Sequence, residues 1–107
     1  MLNIALIDAD GNLSLKPGEL DVYQINTHTI PADQPRPADR IDAIVICASD
    51  PEHARQLADL HAGKAKGRPP VILISETVPP PDGFDGWLRR PVSPVQLANR
   101  VQSLRRL

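Results

Sequence analysis

Three short runs set the limits on how this chain can fold: Ile4-Ala5-Leu6-Ile7, Ala43-Ile44-Val45-Ile46 and Val71-Ile72-Leu73-Ile74. Each is apolar at every position and rich in β-branched residues, and Asp, Asn, Pro or Ser stands nearby at its ends. A strand with one wet face alternates apolar and polar residues; a strand without alternation is covered on both faces, as in a parallel sheet. The longest such stretch, Ala43 to Ala48, has six residues, far below the about 20 a membrane helix needs. The runs therefore predict strands over Asn3 to Asp8, Asp42 to Cys47 and Val71 to Ser75. Two weaker candidates are Asp21 to Asn26 and Gly86 to Arg89.

Two helices announce themselves by their starts. Ser49-Asp50-Pro51-Glu52 offers a capping hydroxyl, an acid, an early proline and a glutamate three residues after the serine. Ala54, Leu57, Ala58 and His61 then fall on one face, and Gly63 is a natural stop. Ser93-Pro94-Val95-Gln96 repeats the pattern, followed by an apolar stripe of Leu97, Ala98, Val101 and Leu104. Eight of the twelve prolines cluster at 31 to 37, 69 to 70 and 79 to 81, between these elements.

The 107 residues suit one domain spanning 1–107, and 41% apolar with 23% charged residues is a globular balance. The end at Arg105-Arg106-Leu107, in the last turns of a helix, suits an N-terminal piece of a longer protein. One cysteine, Cys47, allows neither an internal disulfide nor a cysteine-based zinc cluster. No signal segment opens the chain, so a cytoplasmic location is expected. Residues 86 to 107 carry five arginines and no acid; with a net charge of −1, the other 85 residues carry −6. That asymmetry argues against a general nucleic-acid role and puts any acidic partner at the C-terminal end. His28, His53 and His61 have no metal-ligand spacing.

Strands and helices in this order indicate right-handed crossovers and a doubly wound parallel α/β sheet. Ligands of such sheets sit at the carboxyl ends of the strands, here Asp8, Cys47, Ser75 and Arg90.

At these positions the sequence resembles the receiver domain of bacterial two-component response regulators. Ile7-Asp8-Ala9 is similar to the acidic pair that closes the first strand. Asp42 to Cys47, with Pro51 four residues later, is similar to the third strand and the proline after the phosphoacceptor. Pro70 to Ser75 resembles the fourth strand ending in Thr/Ser, and Gly86-Trp87-Leu88-Arg89-Arg90-Pro91 the fifth ending in Lys-Pro. The resemblance implies a flavodoxin-like three-layer sandwich whose five-stranded parallel sheet has the order 2-1-3-4-5. It also implies a cis peptide at Arg90-Pro91. The spacing and the prolines leave the first, second and fourth helices shortened or missing.

Against that family pattern the pocket is degenerate. Cys47 stands where the resemblance places the nucleophilic carboxylate, Ala9 where it places the second acid and Arg90 where it places the lysine; Asp8 and Ser75 remain. Phosphoryl transfer needs metal and positioned cations to offset developing charge, so neither that chemistry nor a cofactor is expected, and the chain is not expected to be an enzyme.

Several residues admit two readings. Cys47 is either a reactive thiol near Arg90 or a small buried hydrophobe. Asp8 with Asp10 is either a metal site or a lone acid paired with Arg89 or Arg90. Ser75 either contacts an anion or satisfies a backbone group. Trp87 is either an interface anchor or an edge aromatic. Arg89, Arg90, Arg100, Arg105 and Arg106 form either a binding face or a solvated one.

The expected function is phosphorylation-independent signalling by protein association. Trp87, Leu88, Arg89, Arg100, Arg105 and Arg106 are the contacts, and a homodimer, a protein partner or an attached output domain is the expected counterpart. No membrane or direct nucleic-acid contact is expected. One alternative is a sensor binding a cyclic dinucleotide on the arginine face. The other is a phosphoacceptor using a non-standard acid, Asp8 or Asp50.

Overall fold

The three apolar runs become the three strands that have a neighbour on each side. In the computed structural model, which describes residues 2–9, 17–30, 41–62, 69–75, 84–89 and 92–105, five parallel strands lie in the order β2-β1-β3-β4-β5. They are β1 (Leu2–Asp8), β2 (Ile25–Thr29), β3 (Ala43–Cys47), β4 (Val71–Ser75) and β5 (Gly86–Arg89). The more polar β2 and β5 take the edges, where one side of the ladder is unpaired. A 3-10 helix (Pro17–Tyr23) and two α-helices, α1 (Pro51–Ala62) and α2 (Pro94–Arg105), complete the described elements. No helix among the described residues is long and apolar enough to cross a membrane.

Alternation along the strands splits the core in two. Ile4 and Leu6, Val45 and Cys47, and Ile72 and Ile74 meet Leu97, Ala98 and Val101 of α2 and Leu20 of the 3-10 helix. Ala5 and Ile7, Ile44 and Ile46, and Val71 and Leu73 meet Ala54, Leu57 and Ala58 of α1. This is the three-layer arrangement that non-alternating strands require. Fully burying one such Ile or Leu contributes about 1.5–3 kcal/mol.

Both helix starts are decided by the proline. At α2, the Gln96 amide donates to Ser93 Oγ (3.3 Å) and the Ser93 amide to Gln96 Oε1 (3.0 Å), a reciprocal capping box. At α1 the cap is Asp50, not Ser49: the Glu52 amide donates to Asp50 Oδ1 (3.0 Å) and the Ala54 amide to the Asp50 carbonyl (2.9 Å). A residue directly before proline is pushed out of the helical region into the extended conformation that an N-cap adopts. That residue is Asp50 here and Ser93 in α2, so the sequence rule picks the right helix but the wrong cap.

The second strand also moves. Asp21 to Tyr23 belong to the 3-10 helix, and the strand begins at Ile25. Side chains three apart eclipse in a 3-10 turn, so Leu20 and Tyr23 both reach the core while Glu19 and Val22 both face water. Gln24 then reverses the chain at φ 62°, its amide donating to the Asp21 carbonyl (2.9 Å) and its carbonyl accepting from Leu2 (3.0 Å). A left-handed conformation strains any residue with a Cβ. Gln24→Gly, at this exposed position, is expected to stabilise the domain by about 0.5–1 kcal/mol, read as a higher urea midpoint at unchanged slope.

Two aspartates bracket the strand starts. The Asp42 amide donates to the Asn3 carbonyl (2.7 Å) while Asp42 Oδ2 accepts from the Asn3 amide (2.8 Å). Asp85 does the same to Val71, with 2.8 Å in both directions. Each carboxylate thus completes a ladder end where the parallel strand provides no further acceptor.

The segments 31–40 and 76–83, where the sequence predicts the second and fourth helices to be lost, lie outside the described residues. So do Asp10, Gly63, Arg90, Pro91 and Arg106, and with Arg90 and Pro91 the expected cis peptide.

Candidate functional site

The register brings the sequence-selected residues to one rim. Asp8 is the cross-strand neighbour of Cys47, Cys47 of Ile74, and Ser75 of Arg89. The Ala9 amide donates to the Cys47 carbonyl (3.0 Å), and the Ala48 amide to the Ile74 carbonyl (3.3 Å), so the rim is hydrogen-bonded one residue past the strand ends.

Cys47 is 0% exposed and belongs to the apolar cluster with Val45, Ile74 and Leu97. A thiol reacts as its thiolate, which needs access as well as positive surroundings, and a side chain with no exposed surface lacks the access. Of the two readings of this residue, the buried hydrophobe is the one its burial fits. Asp8 is half-buried, and Ala9 presents only a methyl, packed against the cluster on the α1 side. Ser75 is 2% exposed and ends β4 on the same side, since it shares the alternation of Val71 and Leu73. Among the described residues no three His, Cys, Asp or Glu side chains gather in a way that could hold a metal ion.

The residues chosen as an interaction surface do not share one face. Leu88 packs into the α2-side cluster, whereas Trp87 packs with Phe84 against the α1-side cluster. Trp87 Nε1 is buried and has no hydrogen-bond partner among the described residues. Arg89 is exposed and alternates to the Trp87 side. Arg100 is exposed on α2, and its stem crosses β5: a Cβ on Gly86 would stand 3.4 Å from Arg100 Cδ and from Leu104 Cδ1. Arg105 closes α2, its side chain lying outside the described atoms.

Three features went unread in the sequence. The clamping aspartates carried a weak signal, each sitting directly before the first residue of a strand. A polar strip at the β2 edge joins Asn3 Oδ1 to Asn26 Nδ2 (3.3 Å) and His28 Nε2 (3.2 Å). The third is Val22, 79% exposed on the 3-10 helix, which depended on the boundary of that element.

No family model and no curated protein matches the sequence. Solved structures do match in shape over the whole chain. The receiver domain of the sensor histidine kinase PA1611 from Pseudomonas aeruginosa PAO1, whose active-site cleft holds a magnesium ion, superposes with a TM-score of 0.67 at 17% identity, covering 99% of this chain and 98% of that one. A response regulator receiver protein from Burkholderia phymatum gives 0.66 at 18% identity, covering 100% and 97%. The BeF3-activated DrrB receiver domain gives 0.63 at 20% identity, covering 100% and 99%. Sheet order and these superpositions agree: the chain has the receiver fold, the flavodoxin-like sandwich with strand order 2-1-3-4-5.

Proposed function

We propose that this domain uses the receiver fold for signalling by protein association, without accepting a phosphoryl group. The observation that carries the reading is the sealed Cys47 at the end of the central strand, beside Asp8 and Ala9. The magnesium-bound relative raises the question of whether the same ion fits here. Mg²⁺ takes octahedral oxygen ligands, and these three positions supply one carboxylate, one methyl group and one sulfur, so the donor set does not suit it.

With that chemistry set aside, recognition by the outer surface is left. The strand rim fixes the spacing of the sheet, the sheet fixes α2, and α2 carries an exposed arginine with no acid on the same helix. A rigid, preformed surface binds with little ordering cost, which suits a docking module joined to, or recruited by, an output protein. A second copy of the chain is one such partner, and cytoplasmic signalling is the setting.

Incubation with acetyl phosphate and Mg²⁺ followed by intact-mass measurement tests the reading. The expected mass is that of the untreated chain. An added phosphoryl group, lost on Asp8→Asn or Asp50→Asn, would instead show a phosphoacceptor built on a non-standard acid.

A further inference from the structure

We propose that the open edge of β2 pairs with the same edge of a second copy of this chain, antiparallel about Thr27, so that the two sheets join into one. The proposal rests on the association reading and names its partner and its surface. β2 ends the sheet, and among the described residues nothing pairs with its outer side. Two bonds show which main-chain groups lie there: the Gln24 carbonyl accepts from the Leu2 amide, and the Ile30 amide donates to the Leu6 carbonyl, both at 3.0 Å. In a parallel ladder alternate residues turn both their groups to the same neighbour, so Asn26 and His28 face β1 as Gln24 and Ile30 do. Ile25, Thr27 and Thr29 therefore turn their amides and carbonyls outward.

Edge strands are normally guarded by charged side chains, proline or a bulge. At the opposite edge of the sheet, β5 carries Arg89. β2 reads Ile-Asn-Thr-His-Thr and pairs with β1 over five successive residues, so it has none of these guards. The strand is also held in place from one face, where Asn26 Nδ2 and His28 Nε2 both meet Asn3 Oδ1, at 3.3 and 3.2 Å.

A half turn about Thr27 sets Thr27 opposite Thr27 of the second copy, and Ile25 opposite its Thr29. Outward-facing residues then meet outward-facing residues, and every free donor finds a free acceptor. The contact is self-complementary and closes at two chains. Charge selects the direction. No Asp, Glu, Lys or Arg stands on β2 to meet its own kind, but Glu19 and Asp21 are exposed on the 3-10 helix that leads into it. Antiparallel pairing sends the two acidic helices to opposite ends of the joint, whereas parallel pairing would bring like charges to the same end. A peptide that is unstructured when free must be ordered as it binds; the second β2 is a strand already, which removes that cost.

Light scattering of the full chain over a concentration series, with amide hydrogen exchange followed by NMR at both ends of the series, tests the proposal. The mass is expected to rise from one chain to two. Over the same range the Thr27 and Thr29 amides are expected to pass from fast to slow exchange, while those of Asn26 and His28 are slow throughout. Thr29→Pro removes an outward N–H that the ladder with β1 does not use, at an exposed position on an edge strand, where proline is admitted. Its circular dichroism is expected to match the wild type, and its dissociation constant to be about tenfold or more higher, because two equivalent bonds are lost across the axis. A mass that rises while the Thr27 and Thr29 amides keep their exchange rates would overturn the proposal, and that readout needs no variant. A folded Thr29→Pro chain that pairs as tightly as the wild type would overturn it too, as would a wild-type chain that stays monomeric. The association reading is judged separately, by the uptake of a phosphoryl group from acetyl phosphate.

Discussion

Cys47→Asp is expected to lower the stability of the domain by about 3–5 kcal/mol at neutral pH. The position is 0% exposed and belongs to the apolar cluster that holds Val45, Ile74 and Leu97. Burying a charge costs far more than burying a thiol, and Asp8 in the neighbouring register position adds a like charge. Both effects disfavour the ionised form, so the introduced aspartate holds its proton to higher pH in the folded chain than in the unfolded one. The folded state then binds more protons, and the loss of stability grows as pH rises past the unfolded carboxylate value; in acid the variant approaches the wild type. Urea melts at low and neutral pH read this directly, with Cys47→Ala as the control for lost volume. Equal stability of Cys47→Asp and wild type at neutral pH would mean that the rim opens to water and that the sealed-pocket argument fails.

Asp42→Ala should cost about 1–3 kcal/mol, because it strips the carboxylate from a part-buried Asn3 amide and leaves that donor unsatisfied. Asp42 is 9% exposed, so water has limited access to replace it. At about 4–8 °C per kcal/mol for a domain near this size, the midpoint of thermal unfolding should fall measurably. Asp42→Asn keeps an oxygen acceptor in the same place and should lose much less. Asp85→Ala removes the matching bracket at Val71, on a different pair of strands, and the two losses should add to within about 0.5 kcal/mol. A double mutant far worse than the sum would show that the two strand starts are coupled through the sheet.

Much of the architecture could be read directly because the signals were local and redundant. Ile44 and Ile46 need cover on one face and Val45 on the other whatever the rest of the chain does, and that alone demands a parallel sheet between two layers. Ser93-Pro94 and Asp50-Pro51 mark their helices because a proline dictates both its own φ and the conformation of the residue before it. Where a local signal was shared between two states, the reading slipped. Asp21-Val22-Tyr23 has strand-like composition, yet the three-residue spacing of Leu20 and Tyr23 lets a 3-10 turn bury both, and Ile25 starts the strand instead.

The candidate site divides in the same way. That Asp8, Cys47 and Ser75 share a rim follows from strand ends in a parallel sheet, which chain order and hydropathy already impose. Their burial does not follow, nor does which face of the sheet Trp87 and Leu88 each take, because strand parity relative to a face is set only when neighbours lock the register. The sequence by itself determined the layers and the rim. Tertiary packing alone decided that the sulfur is sealed, that two aspartates became strand clamps, and which layer Trp87 and Leu88 each join. These depend on contacts between residues far apart in the chain, whose strength no local pattern encodes.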